Sequence, residues 1–148
     1  VAPMLDTCAR KGFRGVEIDN LDSWTRFDDT PLAGSVPFDQ VDTAEYARLL
    51  TNEAHRRGLA VGQKNTPQLD ATTSRQTIGF DFAVAEECGR FAECDRYRTL
   101  FGALVLDVEY DAGGYRAACG AIGSQASVVQ RDRDVTLPGS PTYVYSTC

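Results

Sequence analysis

The chain has 148 residues, 43% of them hydrophobic and 24% charged, a balance that excludes disordered, collagen-like and coiled-coil architectures. Fifteen basic residues face 21 acidic ones, for a net charge of −6, and scattered arginines such as Arg14, Arg48, Arg75, Arg90 and Arg116 form no basic stripe, so no nucleic-acid partner is expected. Apolar runs extend over only a few residues, which excludes a membrane-spanning helix and so membrane insertion, and no basic segment precedes an apolar one as in a secretory leader.

Helical and strand-like segments alternate along the chain. Residues 3–11 read as the end of a helix stopped by Gly12, and residues 14–19 (RGVEID) as a strand. A long loop with Pro31, Gly34 and Pro37 follows, to about Val41. Asp42 with Glu45 three residues on predicts a capped helix start, and Ala44, Ala47, Leu50 and Ala54 give that helix an apolar stripe ending at Gly58. Residues 59–63 form a second strand, 67–78 a polar and weakly helical stretch ending at Gly79, and 80–85 a third strand. Phe91, Cys94, Tyr97 and Phe101 predict an amphipathic helix over 90–101. A fourth strand (103–109), a short helix (115–122), a fifth strand (126–130) and a turn-rich tail complete the chain. This alternation predicts an α/β fold, a parallel sheet with helices outside it.

Each strand begins apolar and ends polar, and in parallel α/β architectures ligands bind at the carboxyl ends of strands. Carboxylates dominate those ends. Glu17 and Asp19, two residues apart, face the same side of their strand, as do Asp107 and Glu109 on theirs. If those sides share one low-dielectric interior, like charges raise some of the pKa values there. A protonated carboxyl beside an ionised one is what glycoside hydrolysis needs: the acid protonates the leaving oxygen, and the carboxylate attacks the anomeric carbon or activates water. Any single acid of the set is better explained by a loop N–H or by pairing with Lys64 or Arg131; the ensemble reads as a site. Lys64 and Asn65 suit a sugar hydroxyl or the orientation of a carboxylate. Trp24, Phe27, Tyr110 and Tyr115 follow strand ends, where aromatic faces can stack on sugar rings.

Asp22, Asp28 and Asp29 lack the spacing of a calcium loop, and no metal is expected. The one histidine, His55, falls in the last turn of a helix and suits its negative end. No nucleophile elbow, phosphate loop or dinucleotide fingerprint is present, and no cofactor is expected. Of five cysteines, Cys88 and Cys94 sit six apart and Cys119 and Cys148 close the C-terminus, which suits two disulfides with Cys8 left over and an oxidising compartment.

Four segments carry a family resemblance: GFRGVEIDNLDSW (12–24), LLTNEAHRRGLAVGQKN (49–65), FDFAVAEECGRFAECDRY (80–97) and VLDVEY (105–110). Together they resemble glycoside hydrolase family 114, the endo-α-1,4-polygalactosaminidase-like family, from Met4 to Asp132. The resemblance implies a (β/α)8 TIM-like barrel of a secreted or cell-surface glycosidase acting on a cationic α-1,4-linked galactosamine polysaccharide. It puts Asp19 on the family's catalytic aspartate, as nucleophile, and Glu86 on its catalytic glutamate, as acid/base. Glu17, Asn20, Lys64, Asn65 and Glu109 fall on positions that line the pocket; Glu87, Asp107, Trp24 and Tyr110 complete the candidate substrate-binding set. Glu87 rivals Glu86 for the acid/base role. Where the family often has Asn before the acid, this chain has Ala85, which predicts one hydrogen bond fewer to substrate or to the acid. A complete barrel takes about 250 residues, and the family domain carries further strands ahead of residues 14–19. The chain therefore reads as one domain, the C-terminal portion of a barrel with strands four to eight, from a longer protein.

Overall fold

Pro3 lies in the first turn of helix α1 (Ala2–Arg10), where its missing N–H has no helical partner to lose, and Gly12 follows the helix at φ +84°. These residues open the computed structural model, which describes residues 1–148 in two compact units, 1–81 and 82–148.

In the first unit, strands β1 (Gly15–Ile18) and β2 (Ala60–Lys64) pair in parallel, with Val16 opposite Val61 and Ile18 opposite Gln63. Helix α2 (Gln40–His55) joins them and buries Ala44, Ala47, Thr51 and Ala54, small side chains at three- and four-residue spacing. Thr51 takes the core position that the sequence pattern gives to Leu50, which is only half-buried. The helix also starts earlier than predicted. Asp39 is its N-cap, accepting the N–H groups of Val41 (2.8 Å) and Asp42 (3.0 Å), while the Asp42 carboxylate accepts the N–H of Asp39. Asp42 is thus the third residue of the box rather than its cap. The weakly helical stretch is a π-helix (Thr72–Ile78), closed by a bond from Gly79 N to Ser74 O, with Gly79 at φ +85°. Ile78 and Phe80 at its end are buried in the core of this unit.

In the second unit, β3 (Phe82–Glu86), β4 (Val105–Glu109) and β5 (Ser127–Arg131) run parallel, in register Ala85–Asp107–Val128. Helix α3 (Cys94–Phe101) packs on β3 and β4, and α4 (Ala112–Ile122) on β4 and β5. Ala83, Val105, Val128, Tyr97 and Ile122 form the buried layer between them. Helix α3 is shorter than the predicted 90–101. The Cys88–Cys94 disulfide folds the residues before it into a turn, with Ala92 at φ +57°, and leaves Phe91 exposed. Helix α4 starts earlier than predicted because Asp111 caps it, one carboxylate oxygen accepting the N–H groups of Gly113 and Gly114. The tail is not all turns: β6 (Tyr145–Thr147) pairs antiparallel with β5, and Cys148 is bonded to Cys119 of α4. Cys8 is the remaining, unpaired cysteine. No helix is long and apolar enough to cross a membrane.

Helix–strand alternation with parallel pairing in each unit bears out the α/β expectation. The turn after β3 packs on α4 so closely that a Cβ on Gly89 would strike the carbonyl of Gly114 and lie 2.9 Å from the Ala118 Cβ. Backbone cannot yield as a flexible side-chain end does, so Gly89→Ala is expected to cost about 2–3 kcal/mol, read from the midpoint of denaturant unfolding.

Candidate active site

Beyond β1 the chain turns at Asn20, held at φ +54°, and leaves Asp19 at the strand end. Lys64, from the end of β2, donates to Asp19 Oδ1 at 3.0 Å, and the Asn20 side chain donates to Asp19 Oδ2 at 3.1 Å. The lysine side chain is 12% exposed and the aspartate side chain 59%, so a largely buried ammonium holds a solvent-facing carboxylate in place. Glu17 is exposed on the same side of β1. After β2 comes a left-handed pair, Asn65 at φ +47° and Thr66 at φ +64°. Gln63 stabilises it from below: its side-chain amide donates to the Asn65 and Thr66 carbonyls (3.0 Å each) and its carbonyl accepts from Ser74 Oγ (2.6 Å). Sequence reasoning passed over Gln63, because a glutamine inside a strand carries no signal of its turn-holding role. Non-glycine residues at positive φ persist only where neighbours over-determine them, and they cluster at functional sites.

A cavity of about 400 Å³ opens beside Asp19, lined by Asn20, Leu21 and Ser23 and by Phe38, Thr43 and Tyr46 among others. Trp24, in a short 3₁₀ turn (Ser23–Thr25), is half-buried and does not line it. Its aromatic walls are Phe38, just ahead of the α2 cap, and Tyr46, on the outward side of α2. Neither follows a strand end, so strand-end reasoning missed both.

In the second unit, Phe82, Val84 and Glu86 share one face of β3, and Leu106 and Val108 followed by Tyr110 share the matching face of β4. Glu86 is half-buried and accepts a 2.5 Å hydrogen bond from the Tyr110 hydroxyl. Glu87 takes a left-handed conformation (φ +60°), is nearly buried, and meets Arg90 at 2.7 Å and Arg133 at 3.0 Å through one oxygen. Arg133 also stacks over the Tyr110 ring at 4.6 Å. Ala85 points to the opposite, fully buried face. An amide at that position would be directed away from Glu86, so Ala85 deprives the acid of no partner on its own face.

Asp107 and Glu109 lie on that opposite face as well, 1% and 0% exposed. Sequence reasoning grouped them with Glu17 and Asp19 around a substrate. Glu17 and Asp19 are exposed, whereas Asp107 and Glu109 are enclosed beneath the turn after β3 and present no surface to a ligand. Asp107 Oδ1 accepts the N–H of Cys88 (3.3 Å) and Glu109 Oε1 that of Gly89 (2.5 Å). Burial, and then the neighbouring Glu109 charge, push the Asp107 carboxyl up to about 7; burial raises Glu109 too, against the pull of the Gly89 N–H. The Cys88 and Cys94 sulfurs and an Asp107 oxygen lie within 4.8 Å of one another, but the disulfide uses both sulfurs. His55, at the end of α2, has its Nε2 2.8 Å from Asp81 Oδ2, the oxygen that also accepts the N–H of Val61, which ties the helix end to β2.

The chain is similar to the crystal structure of Aspergillus fumigatus Ega3 in complex with galactosamine, with a TM-score of 0.73 at 24% identity. The match covers 98% of this chain and 59% of that one, so the chain spans well under two thirds of its length. At that identity the likeness speaks for the fold. No curated protein matches the chain. The sequence profile of glycoside-hydrolase family GH114 matches residues 1–148. A match over the whole chain, together with that likeness of fold, places the chain in glycoside-hydrolase family GH114.

Proposed function

We propose that this chain carries the catalytic carboxylates of a glycosidase that cleaves an α-1,4-linked galactosamine polymer by a two-carboxylate mechanism with retention of configuration. Asp19 acts as the nucleophile and Glu86 as the acid/base. The observation that carries the reading is the family match over residues 1–148, combined with Asp19 and Glu86 each standing at the carboxyl end of a parallel strand and each held by a hydrogen-bonding neighbour. Lys64 and Asn20 aim the nucleophile, and Tyr110 aims the acid. Glu87 is bound to two guanidinium groups, which favours Glu86 over it for proton transfer to a glycosidic oxygen. The Ega3 structure is a complex with galactosamine, an amino sugar, and a chain of net charge −6 suits a cationic polymer.

The parallel strands correspond to the later strands, four to eight, of a TIM-like barrel in a longer protein, a reading supported by the 59% coverage of the Ega3 chain. Two disulfides support an extracellular or cell-surface location.

The test is the release of new reducing ends from partly deacetylated α-1,4-polygalactosamine, assayed with this chain and with its longer parent protein. Release by either supports the reading. Polymer bound but never cleaved by the parent protein overturns it in favour of a noncatalytic sugar-binding barrel.

A further inference from the structure

The turn after β3 rests on two buried acids whose bonding is incomplete. Asp107 Oδ2 and Glu109 Oε2 are both buried, and neither has a hydrogen-bond donor. Two ionised carboxylates left that way would each carry a heavy desolvation cost. The two side chains lie two residues apart on one face of β4, near enough to hydrogen-bond to each other. One proton shared between the two carboxyl groups removes one of the two charges and supplies the donor that the buried pair lacks. We propose that Asp107 and Glu109 share that proton, Asp107 donating its O–H to an ionised Glu109, and that the bridged pair is the clamp that fixes the turn at residues 87–89 and so positions Glu86.

The surroundings assign the proton to Asp107. Glu109 receives the backbone N–H groups of Gly89 and Arg90, which favour its charged form. Its Oε2 also lies so close to the first turn of α4 that a Cβ on Gly114 would collide with it, at the end of a helix that favours negative charge. Asp107 has a single N–H, from Cys88. Charged groups facing the pair from elsewhere are Arg90 on the turn and Asp111 at the start of α4, and these oppose each other. Beside Asp107 stand Ala85 and Val128 and beside Glu109 on β5 stands Gln130, all uncharged, while Glu87, next along the chain from β3, has its charge met by Arg90 and Arg133. The clamp is therefore consecutive: Cys88 N–H to Asp107, Gly89 N–H to Glu109, and one proton joining the two acids. The disulfide to Cys94 and the contact of Gly89 with α4 close the turn from the other side. A role in catalysis rests on the assignment of Glu86 above; the clamp itself does not.

The folded chain holds the Asp107 proton more tightly than the unfolded chain. Its contribution to stability is thus complete below the ordinary carboxylate value of 3.8 and is lost as pH rises towards about 7. The test is an NMR titration of the full chain, following the Asp107 carboxyl carbon and the amides of Cys88 and Gly89. Asp107 is expected to titrate near 7, with both amides moving in the same transition. Asp107→Asn supplies a carbonyl for Cys88 and an N–H donor for Glu109; it is expected to keep both amides protected from exchange and to abolish the transition. Asp107→Leu supplies neither and is expected to lose the protection. The inference is overturned if Asp107 titrates at an ordinary carboxylate value, if the two amides stay silent through its transition, or if Asp107→Asn retains the transition. The wild-type titration decides even where a variant does not fold. No step requires turnover, so an absence of glycosidase activity would refute the proposed function and leave the clamp standing.

Discussion

Glu86→Gln is expected to lower the release of reducing ends from the galactosamine polymer by about a hundred- to ten-thousand-fold, mostly in kcat. The amide is close in size and can still accept the Tyr110 hydroxyl bond, so the strand end should keep its geometry. It has no proton to give to the leaving oxygen. That loss falls on the transition state and spares binding. A substrate with an activated aryl leaving group departs without protonation, so glycosylation by Glu86→Gln should recover on it. Asp19→Asn removes the attacking group and the ion pair with Lys64, and it should recover on neither substrate. Recovery of Asp19→Asn on the activated substrate, or of neither variant, would reverse or cancel the assignment of the two roles.

The second large effect concerns the C-terminal bridge. Cys119 and Cys148 are 29 residues apart, and closing a loop of that length restricts the unfolded chain by about 3.6 kcal/mol. Cys88 and Cys94, six apart, close a loop worth about 2.4 kcal/mol on the same scale. The double variant Cys119→Ser/Cys148→Ser is therefore expected to lose more stability than Cys88→Ser/Cys94→Ser. The three-residue strand β6 depends on the bridge, since few bonds other than its pairing with β5 hold Tyr145–Thr147. Calorimetric melting measures the loss, and amide exchange over residues 145–147 shows whether β6 detaches with it.

What the sequence reveals, and what it conceals, follows from the range of the forces involved. Local signals read true: Gly12 and Gly79 stop helices, each in the left-handed region that favours glycine. Cysteine spacing pointed to both bridges. The shortened start of α3 was hidden because Phe91, Cys94, Tyr97 and Phe101 keep perfect helical spacing, and only a covalent bond overrides it. Strand β6 was hidden because it has no apolar alternation; pairing across the sequence made it a strand. The same holds at the candidate site. Strand-end carboxylates were visible, and alternation correctly put Asp107 with Glu109. Which face of β4 the helices cover depends on packing, and that single binary choice separates two buried structural acids from the exposed pair on β1. Phe38 reaches the cavity beside Asp19 through the path of a loop and Tyr46 from the outward side of α2, and periodicity encodes neither placement.

The antiparallel strand at the end of the chain has a bearing on how the protein must be handled. It covers the outer rim of β5, whose backbone N–H and C=O groups would otherwise stand open as a template for another strand. Because a thiol–disulfide couple secures that cover, reductant acts on more than stability. In a reducing buffer this chain loses that cover, and β5 becomes one more open edge on which another copy can pair.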